Sequence, residues 1–301
     1  MGFGNDSYRF LLSARYLGFE GKHICTLGRQ NGGMSPDLFN ELCQTYGGAT
    51  AAYPRKVVCF ADDLLSPAGF IVDSMDASAY EGASIIHDLN LPIPIYLKGR
   101  FDLVWDGGTL EHVFNFPVAL QNAMQMVRIG GHIFLDTPAN NQCGHGFYQF
   151  SPELFFRVFT PANGFELLRL YIHSHDGLFH VVDPIDIHGR VELRNSEGTI
   201  MRVHARKIAD VPLSSVQQSD YVDSWEQREP AKDGKLKDFL RKHLSATQID
   251  MISRRLNAWR LKRGAARWKR DSKLSNRRLY IPVTDWNVSS KTQILNYRNH
   301  L

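Results

Sequence analysis

"FDLVWDGGTLEHVFNFPVALQNAMQMVRIGGHIFL", residues 101–135, is the stretch whose reading decides the fold. Phe101–Trp105 is a short apolar run of strand length. The turn-forming loop Asp106-Gly107-Gly108-Thr109-Leu110-Glu111-His112 follows it. An amphipathic helix is expected over Pro117–Val127, then a Gly-Gly turn and a strand over Gly131–Leu135. Strand, loop, helix, turn and strand in that order form one unit of a parallel sheet.

Working outward, the same alternation continues on both sides. Ile24–Leu27, Phe70–Met75 and Ile85–Ile86 read as three earlier strands, and Phe165–His173 and Arg202–Lys207 as two late ones. Ser35-Pro36-Asp37 starts a helix well: Ser as N-cap, Pro at the first helical position, Asp at the positive end of the dipole. Ser151-Pro152-Glu153 repeats that chemistry. The expected fold class is α/β, a doubly wound, mainly parallel sheet covered on both faces. A domain over residues 1–212 is followed by a basic, mostly helical C-terminal extension over 213–301. Within the extension, 213–234 is linker-like, Lys235–Trp268 is helical in pattern, and 279–301 reads as irregular.

The chain has 301 residues, 43% of them hydrophobic and 22% charged, which is ordinary globular composition. No apolar run approaches the roughly 18 residues that span a bilayer. No signal-peptide core is evident at the start, and Asp6 stands where a myristoylation motif needs Ser or Thr. The four cysteines are scattered, without a C-x-x-C pair, so reduced thiols in a cytoplasmic protein are expected and a cysteine-based zinc site is not. The formal charge of +4 is uneven. Lys235–Arg278 carries fifteen Lys and Arg against three Asp, a net +12, which leaves −8 for the rest of the chain.

In a doubly wound sheet, ligands bind beyond the carboxyl ends of the strands. The residues at those places are Gly28, Arg29 and Gln30 after the first strand, Asp76 after the second and Asp88 after the third. Asp106–His112 follow the fourth, and Asp136–Asn140 and "CGHGFYQFSPELF" the fifth. This ordered set, over roughly residues 8–175, resembles the Rossmann-like class I S-adenosylmethionine (SAM)-dependent methyltransferases. The nearest likeness is to the group with a Leu-Glu-His signature after strand four, here Leu110-Glu111-His112.

The resemblance implies roles. Gly28 matches the first loop glycine, where the backbone approaches the methionine end of the cofactor. Asp76 matches the acid that accepts hydrogen bonds from the ribose hydroxyls. Asp88 and Leu89 match the pair that holds the adenine. Gly107, Gly108 and Thr109 line the middle of the cofactor, and His112 faces the site. The opening loop departs from the pattern: Thr26 stands in place of the usual acid, and Arg29, Gln30 and Asn31 include side chains where small residues are usual. Gln30 or Asn31 would have to accept the hydrogen bond of the methionine ammonium. Read without the resemblance, Asp76 and Asp88 are also good turn and cap residues, and Glu111 supports the first turn of the following helix.

The stretch Asn140–Phe150 concentrates polar side chains in a loop after a strand, where function is often carried. His145 is the first candidate for a general base, His112 the second, and Tyr148 a substrate contact. No set of acids accompanies Asp136 as a metal site, so no metal ligand is assigned. The basic stretch 235–278 has three readings: packing on the acidic domain, peripheral contact with an anionic membrane at its cytoplasmic face, or nucleic-acid binding. The last is the least favoured. Nor is there a [DNS]-P-P-[FYW] motif for gripping an exocyclic amine. A nicotinamide-dependent oxidoreductase would need a G-x-G-x-x-G turn, which is absent. The expected function is SAM-dependent O-methylation of a small polar acceptor such as a sugar, a glycan, a lipid-linked glycan or a secondary metabolite. The alternative is a non-catalytic binding or scaffold relative that has lost SAM through its altered glycine loop.

Overall fold

The computed structural model describes residues 2–47, 53–54, 59–214, 216–226 and 272–299, with 245, 250–251, 254–255 and 257–259 between them. Most of the helix expected over Lys235–Trp268, and with it most of the basic stretch, lies outside the described residues. No described helix is long and apolar enough to cross a membrane.

Among the described residues, nine strands form one sheet: β1 His23–Leu27, β2 Ile71–Asp76, β3 Ile85–Ile86, β4 Phe101–Asp106, β5 Val127–Pro138, β6 Phe165–Ser174, β7 Gly177–Val181, β8 Ile200–Lys207 and β9 Tyr280–Pro282. Their spatial order is β3-β2-β1-β4-β5-β8-β6-β7-β9. The first five strands are mutually parallel. β8 lies antiparallel between β5 and β6, so β6 runs in the same sense as β5. The order reverses between β1 and β4, the switch point at which doubly wound sheets leave a crevice. The expected Rossmann-like α/β architecture is therefore present.

Period-two alternation along the strands feeds two cores. On one face, Ile24, Leu103, Trp105 and Phe134 pack with helices α1 (Asn5–Ala14), α2 (Pro36–Tyr46) and α3 (Ala61–Leu65). On the other, Cys25, Leu27, Val104, Ile133 and Leu135 pack with α4 (Phe116–Met126) and α5 (Pro152–Val158). Neighbouring residues thus point to opposite cores, the pattern of strands buried on both faces. The helix starts follow the capping chemistry: Ser35 Oγ accepts from the Leu38 N–H and Ser151 Oγ from the Glu153 N–H.

Three parts differ from expectation. β5 begins at Val127 and runs through the Gly-Gly pair instead of starting after it. β7 pairs with β6 as a hairpin across a turn at His175-Asp176. Residues 279–299 are not irregular throughout: β9 adds to the sheet edge against β7, and Ser290–Asn299 forms a helix. Tyr280, Ile281 and Ile294 enter the second core.

Candidate functional site at the carboxyl ends of the parallel strands

Gly28 leaves β1 with φ +71°, and its N–H donates to Met75 O at 2.6 Å. A Cβ there would lie 2.8 Å from Thr109 Oγ1, so both the left-handed backbone and the close approach of the β4 loop require glycine. Thr26, in place of an acid, turns its hydroxyl inward and donates to Gly28 O at 2.9 Å.

Gln30 is buried. Its Nε2 donates to Leu27 O at 2.5 Å and to Thr109 Oγ1 at 3.0 Å, and Thr109 Oγ1 donates in turn to Leu27 O at 2.8 Å. The amide thus ties the end of β1 to the loop after β4. Its Oε1 lies beside Gly107, where a Cβ would come within 2.8 Å of it and within 2.5 Å of the Phe3 ring. Phe3 stacks on Trp105 of β4 with ring centroids 4.1 Å apart. The rest of the loop is stitched by backbone: Phe3 N–H donates to Asn31 O, Gly33 N–H to Phe3 O, Gly32 N–H to Cys59 O and Ala61 N–H to Gln30 O. Arg29 leaves the loop sideways, pairing with Asp62 at 2.9 Å, donating to Glu81 O at 2.7 Å and lying over the Phe60 ring. It bridges the edges beyond β1 and β2.

Asp76 ends β2, and its Oδ1 accepts from the Ser78 N–H at 3.1 Å. Asp88 follows β3. Its Oδ1 accepts from both the backbone N–H and the side-chain amide of Asn90, which together hold the carboxyl below the usual range. Leu89 is buried, with its carbonyl accepting from Asn122 Nδ2. Both acids therefore make the local turns that their residue type favours, and both stand on the edge to which Gly28 belongs.

The loop after β4 carries the strongest electrostatics. Asp106 is fully buried and accepts from the Thr109 and Leu110 N–H groups through Oδ1. Burial, then the nearby Glu111, push its carboxyl well above the ordinary value. Glu111 is fully buried as well, and burial raises it to about 7. His145 Nε2 lies 3.3 Å from Glu111 Oε1, and His112 Nε2 3.8 Å from it. Burial pulls both imidazoles down, and His145 adds to the lowering of His112. The backbone fixes this cluster. The Phe147 and Tyr148 N–H groups donate to Glu111 O, and a Cβ on Gly146 would meet that oxygen at 2.9 Å.

The two candidate histidines are therefore brought together, and Glu111 joins them. Its place could not be read from its position in the chain, because the loop that buries it, residues 146–148, comes thirty-five residues later. Tyr148 stands differently: its hydroxyl donates to Phe114 O at 2.6 Å and its ring packs on Phe116 and Phe150. Much of the polar loop is also engaged inwardly. Asn140, Asn141 and Gln142 bond residues 193–199, and Gln149 accepts from the Gln142 N–H. Asp136, at the end of β5, pairs with Arg202 of β8 at 3.2 Å and accepts from Ser7 Oγ. These groups border a cavity of about 330 Å³ that also touches Asp6 and His173. Sequence reading missed this pair, since 66 residues separate its members.

No protein-family model matches the chain, and no curated protein matches it. Among solved structures, it is similar to the branched-chain polyamine synthase C9 mutein of Thermus thermophilus in complex with N4-aminopropylspermidine and 5'-methylthioadenosine. That likeness is at 15% identity and TM-score 0.37, over 73% of this chain and 62% of that one, so the chain spans less than two thirds of that enzyme. The 1,6-didemethyltoxoflavin-N1-methyltransferase of Burkholderia thailandensis, solved with S-adenosylhomocysteine, is similar at 13% identity and TM-score 0.35, over 66% and 76% of the two chains. TehB of Haemophilus influenzae is similar at 14% identity and TM-score 0.36, over 66% and 61%. Likenesses this distant carry nothing about chemistry, and the fold stands on the strand order above.

Proposed function

We propose that the protein is a SAM-dependent methyltransferase acting on the hydroxyl of a small polar acceptor, of sugar type. One observation carries the reading: Gly28, Asp76 and Asp88 follow three adjacent parallel strands on one edge, beside the imidazole–carboxyl cluster of the β4 and β5 loops. The donor set fits the cofactor. Asp76 offers carboxylate oxygens to a ribose diol, and Asp88 with the Leu89 backbone offers acceptors to an adenine amine. At the methionine end the acceptor is the neutral Oε1 of Gln30, which takes no hydrogen bond from the described residues.

SAM supplies an electrophilic methyl group, and the protein mainly supplies alignment. The remaining task is a proton, which an acceptor hydroxyl must lose. Partial burial lowers the His145 and His112 imidazoles, and they stand next to a carboxyl raised to about 7, so the cluster offers acceptors for that proton. Calorimetry of the full chain with SAM and S-adenosylhomocysteine tests the reading. Saturable binding is expected, and absence of heat at millimolar ligand removes it.

A second reading has its own observation. Gln30 fills, with its own amide, the space between the ends of β1 and β4, and Arg29 is pinned across the neighbouring edge. On that reading the chain is a binding or scaffold relative without SAM, and the same calorimetry separates the two.

A further inference from the structure

Three side chains with metal-ligating atoms meet between the β4 and β5 loops. Glu111 has no solvent exposure, and neither of its carboxylate oxygens has a hydrogen-bond partner among the described residues. His145 Nε2 is buried without a hydrogen-bond partner among them too, although it approaches Glu111 Oε1 to 3.3 Å. His112 Nε2 completes the group at 3.8 Å, and one ligand atom from each of the three residues lies within 4.8 Å of the other two. A buried carboxylate without hydrogen bonds is costly, and unsatisfied groups of this kind call for a missing partner such as a water or an ion.

We infer that Glu111, His112 and His145 form a binding site for a divalent transition-metal ion of the zinc type. Two imidazole nitrogens and one carboxylate suit zinc, cobalt or ferrous iron rather than magnesium or calcium, which prefer shells of oxygen. Tetrahedral zinc with bonds of about 2.0–2.1 Å separates neighbouring ligand atoms by about 3.3 Å. The two distances to Glu111, 3.3 and 3.8 Å, approach that spacing, and the remaining pair lies within 4.8 Å, so small side-chain rotations close the set. The frame is also fixed. Glu111 O is held by two N–H groups of the β5 loop, and Gly146 allows the loops to touch. Three protein ligands leave a fourth position open, and the half-exposed His112 marks the side facing solvent.

The site is the cluster to which the proposed function gives the proton; a bound cation would occupy those lone pairs, so the proton would pass to solvent at the open side while the charge of the cation favours the deprotonated acceptor. Metal binding itself rests only on the geometry of the three residues and needs no SAM, so failure of one reading leaves the other intact. The test strips the full-length protein with chelator. It then titrates Zn²⁺ by calorimetry and follows Co²⁺ by visible absorption. One equivalent of each is expected, with the intense bands of four-coordinate cobalt. His145→Ala and His112→Ala should each weaken binding by at least about 10-fold, the cost of losing even an outer partner of a ligand. Replacing both should abolish it, whereas His175→Ala, in the exposed β6–β7 turn, should change nothing. Circular dichroism checks that each variant is folded. The inference is overturned if folded wild-type protein binds neither ion saturably, or if the double variant keeps wild-type affinity.

Discussion

Replacing Gln30 by Ala separates the two functional readings by the sign of one number. The substitution deletes two hydrogen bonds, Nε2 to Leu27 O and Nε2 to Thr109 Oγ1. It strands neither partner, because Thr109 Oγ1 still donates to Leu27 O at 2.8 Å. At about 0.5–1.5 kcal/mol for each bond, the fold should lose about 1–3 kcal/mol and survive. The effect on ligand is larger. If Gln30 Oε1 receives the methionine ammonium, a hydrogen bond to a charged group is lost, about 1.5–3 kcal/mol. SAM affinity should then fall by about 10- to 150-fold. The assay is calorimetric titration of wild-type and variant protein, with urea unfolding run in parallel to check the stability cost. Unchanged or tighter binding in the variant would refute the assignment, because the amide would then be a plug and not an acceptor.

Asp88→Asn should keep the turn, since Asn accepts from the Asn90 N–H through the same oxygen, yet weaken SAM binding about tenfold through loss of charge; equal affinity in a titration would remove Asp88 from the adenine site. Lowering the pH from 7 to 5 should weaken the fold at the buried His132–His204 pair. Burial depresses His132 to about 3 and pulls His204 well below its ordinary value of 6.5, so these two imidazoles bind more protons in the unfolded chain. The contribution of His132 is present above pH 6.5 and is lost as pH falls from there toward 3, by about 2 kcal/mol at pH 5, while the raised Glu111 and Asp106 carboxyls drift the opposite way; an NMR titration in which His132 of the folded protein protonates near 6.5 would contradict this. Ending the chain before Ser272 should abolish cooperative folding. Leu279, Tyr280, Ile281 and Ile294 are each at most 7% exposed. At about 1.5–3 kcal/mol apiece their loss rivals the stability of a whole domain, and a cooperative unfolding transition in the truncated protein would speak against it.

What was legible follows from how local each signal is. β1, β2 and β4 announce themselves as short apolar runs closed by Gly or Asp, and α2 and α5 by Ser-Pro-acid starts. Gly28, Asp76 and Asp88 stand at strand ends as their sequence places them, because a strand end is a position that can be counted. The helix Ser290–Asn299 was not found, because it buries little more than Ile294 on its apolar side and shows no helical periodicity. β9 is three residues long and is a strand only because β7 presents an edge to it. Glu111 looked like an ordinary first-turn acid, since its burial depends on the later loop around Gly146 folding over it. The polar residues Asn140–Gln142 read as part of a functional loop for the converse reason: the segment 193–199 that they hold gives no sign of needing them.

The glycine loop carries less weight for function than its position suggests. Gly28 and Gly107 are required, but the atoms that exclude a Cβ from them are Thr109 Oγ1, the Gln30 amide and the Phe3 ring, all parts of this chain. Internal packing therefore accounts for both glycines whether or not a cofactor ever approaches them. Thr26 likewise bonds Gly28 O and leaves no buried polar group waiting for a ligand. The two aspartates differ from the loop in this respect. Each uses Oδ1 for its own turn, whereas Oδ2 takes no hydrogen bond from the described residues. An Asx turn needs only one oxygen, and Asn or Ser would make it equally well. Two such carboxylates on successive strand ends carry charge that the fold itself does not use. The case for SAM thus rests on Asp76 and Asp88, and the loop decides only how the methionine end would be held.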